Sequence, residues 1–356
     1  MPELPEVETV RRGLDRLIVG KVVRAVTHDT PKSFPNVAAD AEQFLIGATI
    51  RSVRRRAKVL LIELDTDYTL VVHLKMTGQL VFVGHTLAVS SSSPRHPRHA
   101  DTSEQSLQSA ELGQSPQTSS IGQDHSLAST GRMTKSTQAE TASVEREVHW
   151  GGGHPNDSLI GLLPDRSTRV EMTFDDDSKL FFNDQRKFGW MKLFPTLEVP
   201  NIDFMQKVGP EPLEDDFTAA EFIPRVRRRA GTTIKAAILD QTVLAGVGNI
   251  YADESLWAAR IHPSTRVRDM SDKQLAQLLV EIKFVMNLSI EKGGSSNHTY
   301  RDAEGNKGSY MQFANVFRRD GLTCPRHPDV SIEKIRVAGR GTHICPACQP
   351  LIDKKA

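Results

Sequence analysis

The chain opens Met1, Pro2, Glu3, Leu4, Pro5, Glu6, and these residue types in this order have a specific chemical capability. Initiator methionine is removed when a small residue such as proline follows, which leaves Pro2 as a free secondary amine. An α-amino group titrates near about 8 and a lysine side chain near about 10.4, so a larger share of the Pro2 amine is neutral and nucleophilic at physiological pH. Attack on the anomeric carbon of a sugar leads to a cationic iminium. That cation is an electron sink, and it acidifies the neighbouring carbon for a strand-breaking elimination. Glu3, adjacent to the amine, is placed to protonate the sugar ring oxygen, and Glu6, one helical turn on, to orient groups around it. Taken alone, the same residues also suit a helix N-terminus, where carboxylates complement the helix dipole.

Two further constellations carry chemistry. All three cysteines follow residue 320, too few for a disulfide framework. With His327 they give Cys324, His327, Cys345 and Cys348, the spacing C-x2-H-x17-C-x2-C, which suits one structural, tetrahedral zinc ion in a small hairpin. Gly246 and Gly248 allow a tight backbone turn that approaches a phosphate, and Asn249 at the following helix start can donate its side-chain amide to that phosphate. A glycine-rich turn between helices otherwise merely connects.

These residues need elements to hold them. Val7, Val10, Leu14 and Leu17 recur at three- and four-residue steps between Pro5 and Gly20, predicting an amphipathic helix that starts almost at the first atom. From Lys21 to Val83 the pattern is strand-like, with β-branched runs at Lys21 to His28, Thr49 to Arg55, Val59 to Leu64 and Thr69 to Leu74. Residues 85–160 are rich in Ser, Thr, Gln, His and Gly and read as a disordered insert. Strands resume at Arg169 to Phe174, Leu180 to Asn183 and Trp190 to Phe194. Three prolines mark a linker over 197–212. Helical periodicity follows in Phe217 to Arg228, Ile234 to Leu239, Ile250 to Ile261 and a long segment capped by Ser271 and Gln274 that stops at Gly293.

With 356 residues, 38% hydrophobic and 25% charged, the chain has the composition of a globular protein of several domains. No signal-like start and no apolar run of ~18 residues is present, so a cytoplasmic, nucleoid-associated protein without membrane contact is expected. The net charge of +1 hides an uneven distribution, since the insert is acidic and the remainder basic. Clusters at Arg51, Arg54, Arg55, Arg56 and Lys58 and at Arg225, Arg227, Arg228 and Arg229 are suited either to a phosphate backbone or to a solvated face.

The opening PELPEVETVRRGL resembles the N-terminus of the formamidopyrimidine-DNA glycosylase family, and the resemblance continues on both sides of the insert. It implies that Pro2 is the Schiff-base nucleophile and Glu3 the general acid. RRRAKVLLIEL assigns to Lys58 a lysine that faces the reacting sugar and its phosphates. In VVHLKMTGQL, His73 matches a phosphate-contacting histidine and Met76 a side chain inserted into the duplex. DQRKFG resembles the loop that completes this wedge, giving Arg186 to the orphaned base and Phe188 to the adjoining stack. LDQTVLAGVGNIYADE, with Asn249, resembles the family's helix-two-turn-helix. Arg340, in GRGTH, matches a finger arginine that clamps phosphates beside the lesion. Departures are His327 for a fourth cysteine, Lys75 for Gly, Gln185 for Pro and Lys187 for Arg.

The expected fold is therefore α+β. An N-terminal β-sandwich with the catalytic helix spans 1–196, a helix-two-turn-helix domain 213–294, a lesion-capping loop 295–315 and a zinc-finger β-hairpin 316–350. The expected function is that of a monomeric glycosylase and lyase that excises 8-oxoguanine and formamidopyrimidines from damaged double-stranded DNA, with β,δ-elimination. One rival is an endonuclease VIII-type enzyme for oxidised pyrimidines, disfavoured by Arg186 and Phe188. The other is a non-catalytic zinc-dependent DNA-binding protein, disfavoured by Pro2, Glu3 and Lys58.

Overall fold

The computed structural model describes residues 2–86, 146–154, 161–295 and 310–351. The opening sequence forms helix α1, Leu4–Ile18. Glu3 caps it, and the reciprocal bond from the Glu3 amide to Glu6 Oε2, 2.8 Å, completes a capping box. Its Val7, Val10, Leu14 and Ile18 stripe is buried in the core of two sheets. One sheet has five strands, in the order β1 (Val23–His28), β7 (Thr168–Phe174), β8 (Lys179–Asp184), β5 (Gly78–Thr86), β6 (Arg146–Gly153). The other has four, in the order β2 (Ile50–Arg56), β3 (Val59–Leu64), β4 (Tyr68–His73), β9 (Trp190–Pro195). The β1–β7, β7–β8, β5–β8, β2–β3, β3–β4 and β4–β9 ladders are antiparallel, as expected where tight turns such as Asp65–Asp67 and Asp175–Asp177 join sequential strands.

Three expectations change. Strand β6 lies inside the segment read as a disordered insert, and Trp150 within it is fully buried. Its indole packs so closely on α1 that a Cβ on Gly13 would lie 2.0 Å from it. Three glycines after a single tryptophan conceal a strand from a composition argument, because the buried face needs only one large residue. The rest of 85–160, at 87–145 and 155–160, lies outside the described residues. Removing 88–158 would therefore take a core strand with it. Trp150→Ala is expected to cost about 3–5 kcal/mol by the cavity it leaves, visible as a lower thermal midpoint. A second change is helix α2, Ala38–Phe44, inside a stretch read as strand-like. The third is the 197–212 linker, which forms a 3-10 turn (Thr196–Asn201) and helix α3 (Asp203–Lys207) whose Phe204 and Met205 pack on the four-stranded sheet.

The second core gathers α4 (Ala219–Arg227), α5 (Ile234–Leu239), α6 (Asn249–Ala258) and α7 (Asp272–Glu291). Ser271 and Gln274 form the expected capping box on α7. Leu4 belongs to this helical core and not to the sandwich, and its amide donates to the Gly246 carbonyl at 3.1 Å. Helix α1 thus has its body in one core and its first residue in the other. Helix α8 (Tyr310–Phe313) follows, with Tyr310 buried against Tyr251; 296–309 of the expected capping loop lie outside the described residues. Two short hairpins end the fold, β10 (Thr323–Cys324) with β11 (His327–Ser331) and β12 (Glu333–Val337) with β13 (Arg340–Ile344).

Candidate active site and zinc centre

The two cores meet around the start of α1. Pro2, Glu3 and Leu4 are all buried there. The Glu3 carboxylate accepts from the Ile250 amide at 3.1 Å, at the N-terminus of α6. Gly248 is extended, so its role is one of space: a Cβ there would stand 2.2 Å from the Glu3 carboxyl carbon and 2.4 and 2.6 Å from its oxygens. Gly246 serves the same turn with a left-handed φ of 81° that only glycine adopts readily, under the Leu4 side chain. The AGVG run, Ala245 to Gly248, is therefore a mould for Glu3 and Leu4 at the start of α1 as well as a turn between helices.

Lys58 lies on the turn between β2 and β3, buried, and its Nζ donates to the Val247 carbonyl at 3.0 Å. Burial pushes its pKa down, with Glu3 and Glu6 opposing and Arg340 adding to the depression. Burial likewise raises the Glu3 carboxyl to about 7; Lys58 opposes this and the Glu6 charge adds to it. A carboxyl half-protonated near neutral pH is matched to general acid work. Glu6 is held by three donors, the Glu3 amide, the Tyr251 hydroxyl and the Ser295 amide, the last at 2.9 Å. Tyr251 also bonds Ser289 Oγ at 2.6 Å, and burial raises its phenol far above the usual range.

Arg340, exposed at the start of β13, is within the electrostatic reach of Lys58. A buried network fixes the strand behind it. Lys235 Nζ donates to Asp253 Oδ1 and to Thr342 Oγ1, both at 2.6 Å, and Asp253 Oδ2 accepts from the His343 amide at 2.9 Å. Asn249 takes part, donating its amide to the Gly341 carbonyl at 3.0 Å. One of its two amide hydrogens is thus engaged by the finger. Sequence reasoning missed Lys235, Asp253 and Tyr251; a lysine amid the apolar face of α5 was the available signal.

A second cluster unites the expected wedge. Met76 and Phe188 are 42% and 43% exposed, unusual for large apolar side chains set among ordered turns. Arg186 bridges them, its guanidinium 4.9 Å from the Phe188 ring centre and 3.3 Å from Met76 Sδ. Asp184, unremarked in the sequence, folds this loop. Its carboxylate accepts from the amides of Arg186, Phe188 and Gly189 at 3.1, 2.8 and 2.6 Å, and from the Thr77 hydroxyl. Lys75 and Lys187, each next to a wedge residue, have φ of 51° and 55°, a region that costs a non-glycine residue about 1 kcal/mol or more. His73 Nδ1 accepts from the Lys75 amide at 3.1 Å, which leaves Nε2 as the donor. Burial, with Lys75 and Lys58, lowers its pKa to about 3, so the imidazole is neutral with Nε2 as its donor.

The arginine clusters resolve differently from a free phosphate track. Arg55 pairs with Glu8 and Glu211 at 3.2 and 2.7 Å, and Arg56 with Glu211 at 2.9 Å. Arg54 pairs with Glu63, Arg227 with Asp272 and Arg229 with Asp240. Their charge is paired by carboxylates near in sequence, Glu63 and Asp240, or far along the chain, Glu8, Glu211 and Asp272, with Arg54 and Arg229 still exposed.

At the finger, the ligand atoms of Cys324, His327, Cys345 and Cys348 lie within 4.8 Å of one another. His327 presents Nδ1, 3.1 Å from Cys348 Sγ. Three thiolates and an imidazole closing on one point suit a structural zinc ion with no open position. His343 is excluded as a substitute, since its Nδ1 faces Asp253 at 3.2 Å. His327→Ala is expected to lower zinc retention, measured as metal per chain after dialysis against a chelator; full occupancy would show a different fourth ligand.

The formamidopyrimidine-DNA glycosylase N-terminal domain model matches residues 1–113, the H2TH domain model of the same family 208–301, and a zinc finger found in FPG and IleRS 330–351. A formamidopyrimidine-DNA glycosylase of Herpetosiphon aurantiacus is 36% identical, covering 98% of this chain and 100% of the relative. One from Pediococcus pentosaceus is 33% identical over 99% and 100%. Among solved structures, a complex between the Lactococcus lactis Fpg and an abasic site containing DNA superposes with a TM-score of 0.71 at 29% identity, covering 98% and 100%. A complex of the wild-type protein with a N7-benzyl-Fapy-dG containing DNA gives 0.71 at 28%, with the same coverage.

Proposed function

The chain belongs to the formamidopyrimidine-DNA glycosylase family, and on that premise we propose that it excises oxidised purines, 8-oxoguanine and formamidopyrimidines, from duplex DNA through Pro2 and then cleaves the strand. The observation that supports this reading most is the buried Glu3 carboxyl, raised to about 7 next to Pro2 in the chain and within the field of Lys58. The Pro2 nitrogen forms a bond to the anomeric carbon as the carbon–base bond breaks, and the base leaves with the electron pair. Glu3 protonates the ring oxygen, so the sugar opens to an iminium. Loss of a proton from the adjacent carbon then expels the phosphate on one side, and a second elimination expels the other. Lys58, His73 and Arg340 hold the phosphates around the extruded nucleotide, and Met76, Arg186 and Phe188 fill the gap it leaves. Filling is needed because extrusion costs a few kcal/mol of stacking and pairing.

Cys324, His327, Cys345 and Cys348 would hold a structural zinc ion outside these steps, which would stabilise the finger that carries Arg340, too small to fold by apolar burial. No helix among the described residues is long and apolar enough to cross a membrane, and the proposed DNA substrate supports association with the nucleoid. The test is cleavage of duplexes carrying 8-oxoguanine or an oxidised pyrimidine. Preferential cutting at 8-oxoguanine is expected. A preference for the pyrimidine would move the protein to the endonuclease VIII type, and binding without cutting to a non-catalytic role.

A further inference from the structure

Every side chain around the wedge other than the three wedge residues is a candidate for holding the distorted duplex, and three lysines stand out. Lys75 immediately precedes Met76, at the turn between β4 and β5. Lys187 immediately precedes Phe188, at the turn between β8 and β9. Both hold the left-handed backbone conformation that glycine would adopt without strain. Two left-handed lysines in equivalent turns each stand directly before an exposed apolar side chain. The third, Lys32, comes from the loop between β1 and α2, and its exposed Nζ stands 5.4 Å from the centre of the Phe188 ring. Arg186 occupies that ring as well, so Phe188 is flanked by two cations.

Two of the three amines carry no internal ion pair. Lys187 lies 3.6 Å from Asp29, a carboxylate bound also by Arg169. Lys32 and Lys75 have no ion pair among the described residues. This sets them apart from the arginines of β2, α4 and the turn after it, most of which are neutralised within the fold. We propose that Lys32, Lys75 and Lys187 form a collar of amines that binds backbone phosphates on both sides of the gap opened by the wedge. The inference rests on the wedge reading of Met76 and Phe188. Inserting an apolar side chain unstacks a base step and draws its phosphates apart and outward. Amines at the base of each inserted residue meet those phosphates only when insertion is complete. They therefore favour the opened duplex over the straight one.

The experiment measures binding of the full chain to a duplex carrying a non-cleavable abasic analogue, by fluorescence anisotropy across a series of potassium chloride concentrations. Each lysine that binds a phosphate contributes about 0.9 to the slope of log affinity against log salt. Lys75→Gly and Lys187→Gly remove the amine at positions whose backbone glycine already suits, so folding is preserved; Lys32→Ala completes the set. The triple variant is expected to lose about 2.7 from the slope, and arginine at the same positions to restore it. An unchanged slope in the triple variant would overturn the proposal, whatever happens to affinity at one salt concentration. Phe188→Ala is the separate check on the wedge: it should impair excision with the slope retained. If it cleaves as the parent does, the wedge reading fails, while the slope series still decides whether the lysines bind phosphate.

Discussion

Borohydride is expected to trap a covalent complex between the mature chain and a damaged duplex, with the new bond at the Pro2 nitrogen. Reduction converts an iminium to a stable amine, so the trapped product records which nitrogen attacked. The rival is Lys58. It is buried beside the same site, and its lowered pKa increases its neutral fraction. Geometry separates the two. The Glu3 and Leu4 amides are engaged by Glu6 and the Gly246 carbonyl, which fixes the direction of the chain end. Lys58 Nζ is tied to the Val247 carbonyl. Pro2→Gly keeps an amine at the same place but loses the ring that limits its motion, and misplacement by about 1 Å can cost 10²-fold. A fall of about that size in single-turnover cleavage is expected, with peptide mapping placing the cross-link on residue 2 in the parent. Trapping that persists undiminished through Lys58 in a chain lacking Pro2 would end the assignment.

The second large effect should come from a residue that performs no chemistry. Gly248→Ala puts a methyl group where the Glu3 carboxyl now sits, and neither can yield easily, since the Ile250 amide and α6 hold one side and Lys58 the other. Misplacing a general acid forfeits its contribution, commonly about 10²–10⁴ in rate. Glu3→Gln should fall equally far, and the double variant no further, because both remove one function. The two single variants differ in stability. The folded-state pKa of Glu3 is raised to about 7 from 4.5, so the stability linked to it is complete below the unfolded value and is lost as pH rises through the folded one. At about pH 8 the buried charge costs about 3 kcal/mol. Glu3→Gln is therefore expected to melt above the parent at that pH and to match it in acid. Gly248→Ala should melt lower at both. Activity in either variant within tenfold of the parent would show that Glu3 is not the acid.

How much of this was legible depended on whether the signal was local. Helix α1 with its cap, the strand Val59–Leu64 and the capping box of α7 follow from spacing within a few residues. So does the metal set, although His327 was identified by spacing and confirmed as a neighbour only by the hairpin that brings Nδ1 to the sulfurs. Strand β6 was not legible. Gly151, Gly152 and Gly153 have the composition of a loop, and only the structure shows that a Cβ on Gly153 would lie 2.5 Å from the Gly78 carbonyl oxygen, as one on Gly13 would strike Trp150. The arginine clusters misled for a related reason: Glu211 is about 155 residues from Arg56, and no window of sequence reveals that pairing. Asp184 lay inside a recognised motif, yet its work as acceptor for three amides depends on a loop conformation that only coordinates supply.

The placement of Leu4 in the helical core has a bearing on how the protein comes into being. The start of α1 is enclosed by groups from Gly246 to Tyr251 and by Ser289, with Ile250 lying 247 residues beyond Glu3. Until those segments close over it, Leu4 has no helical core to join, Glu3 has no Ile250 amide to accept from and Glu6 has no partner in Tyr251. The geometry at the start of α1 is thus a property of the whole chain, acquired only when the helical core closes over it.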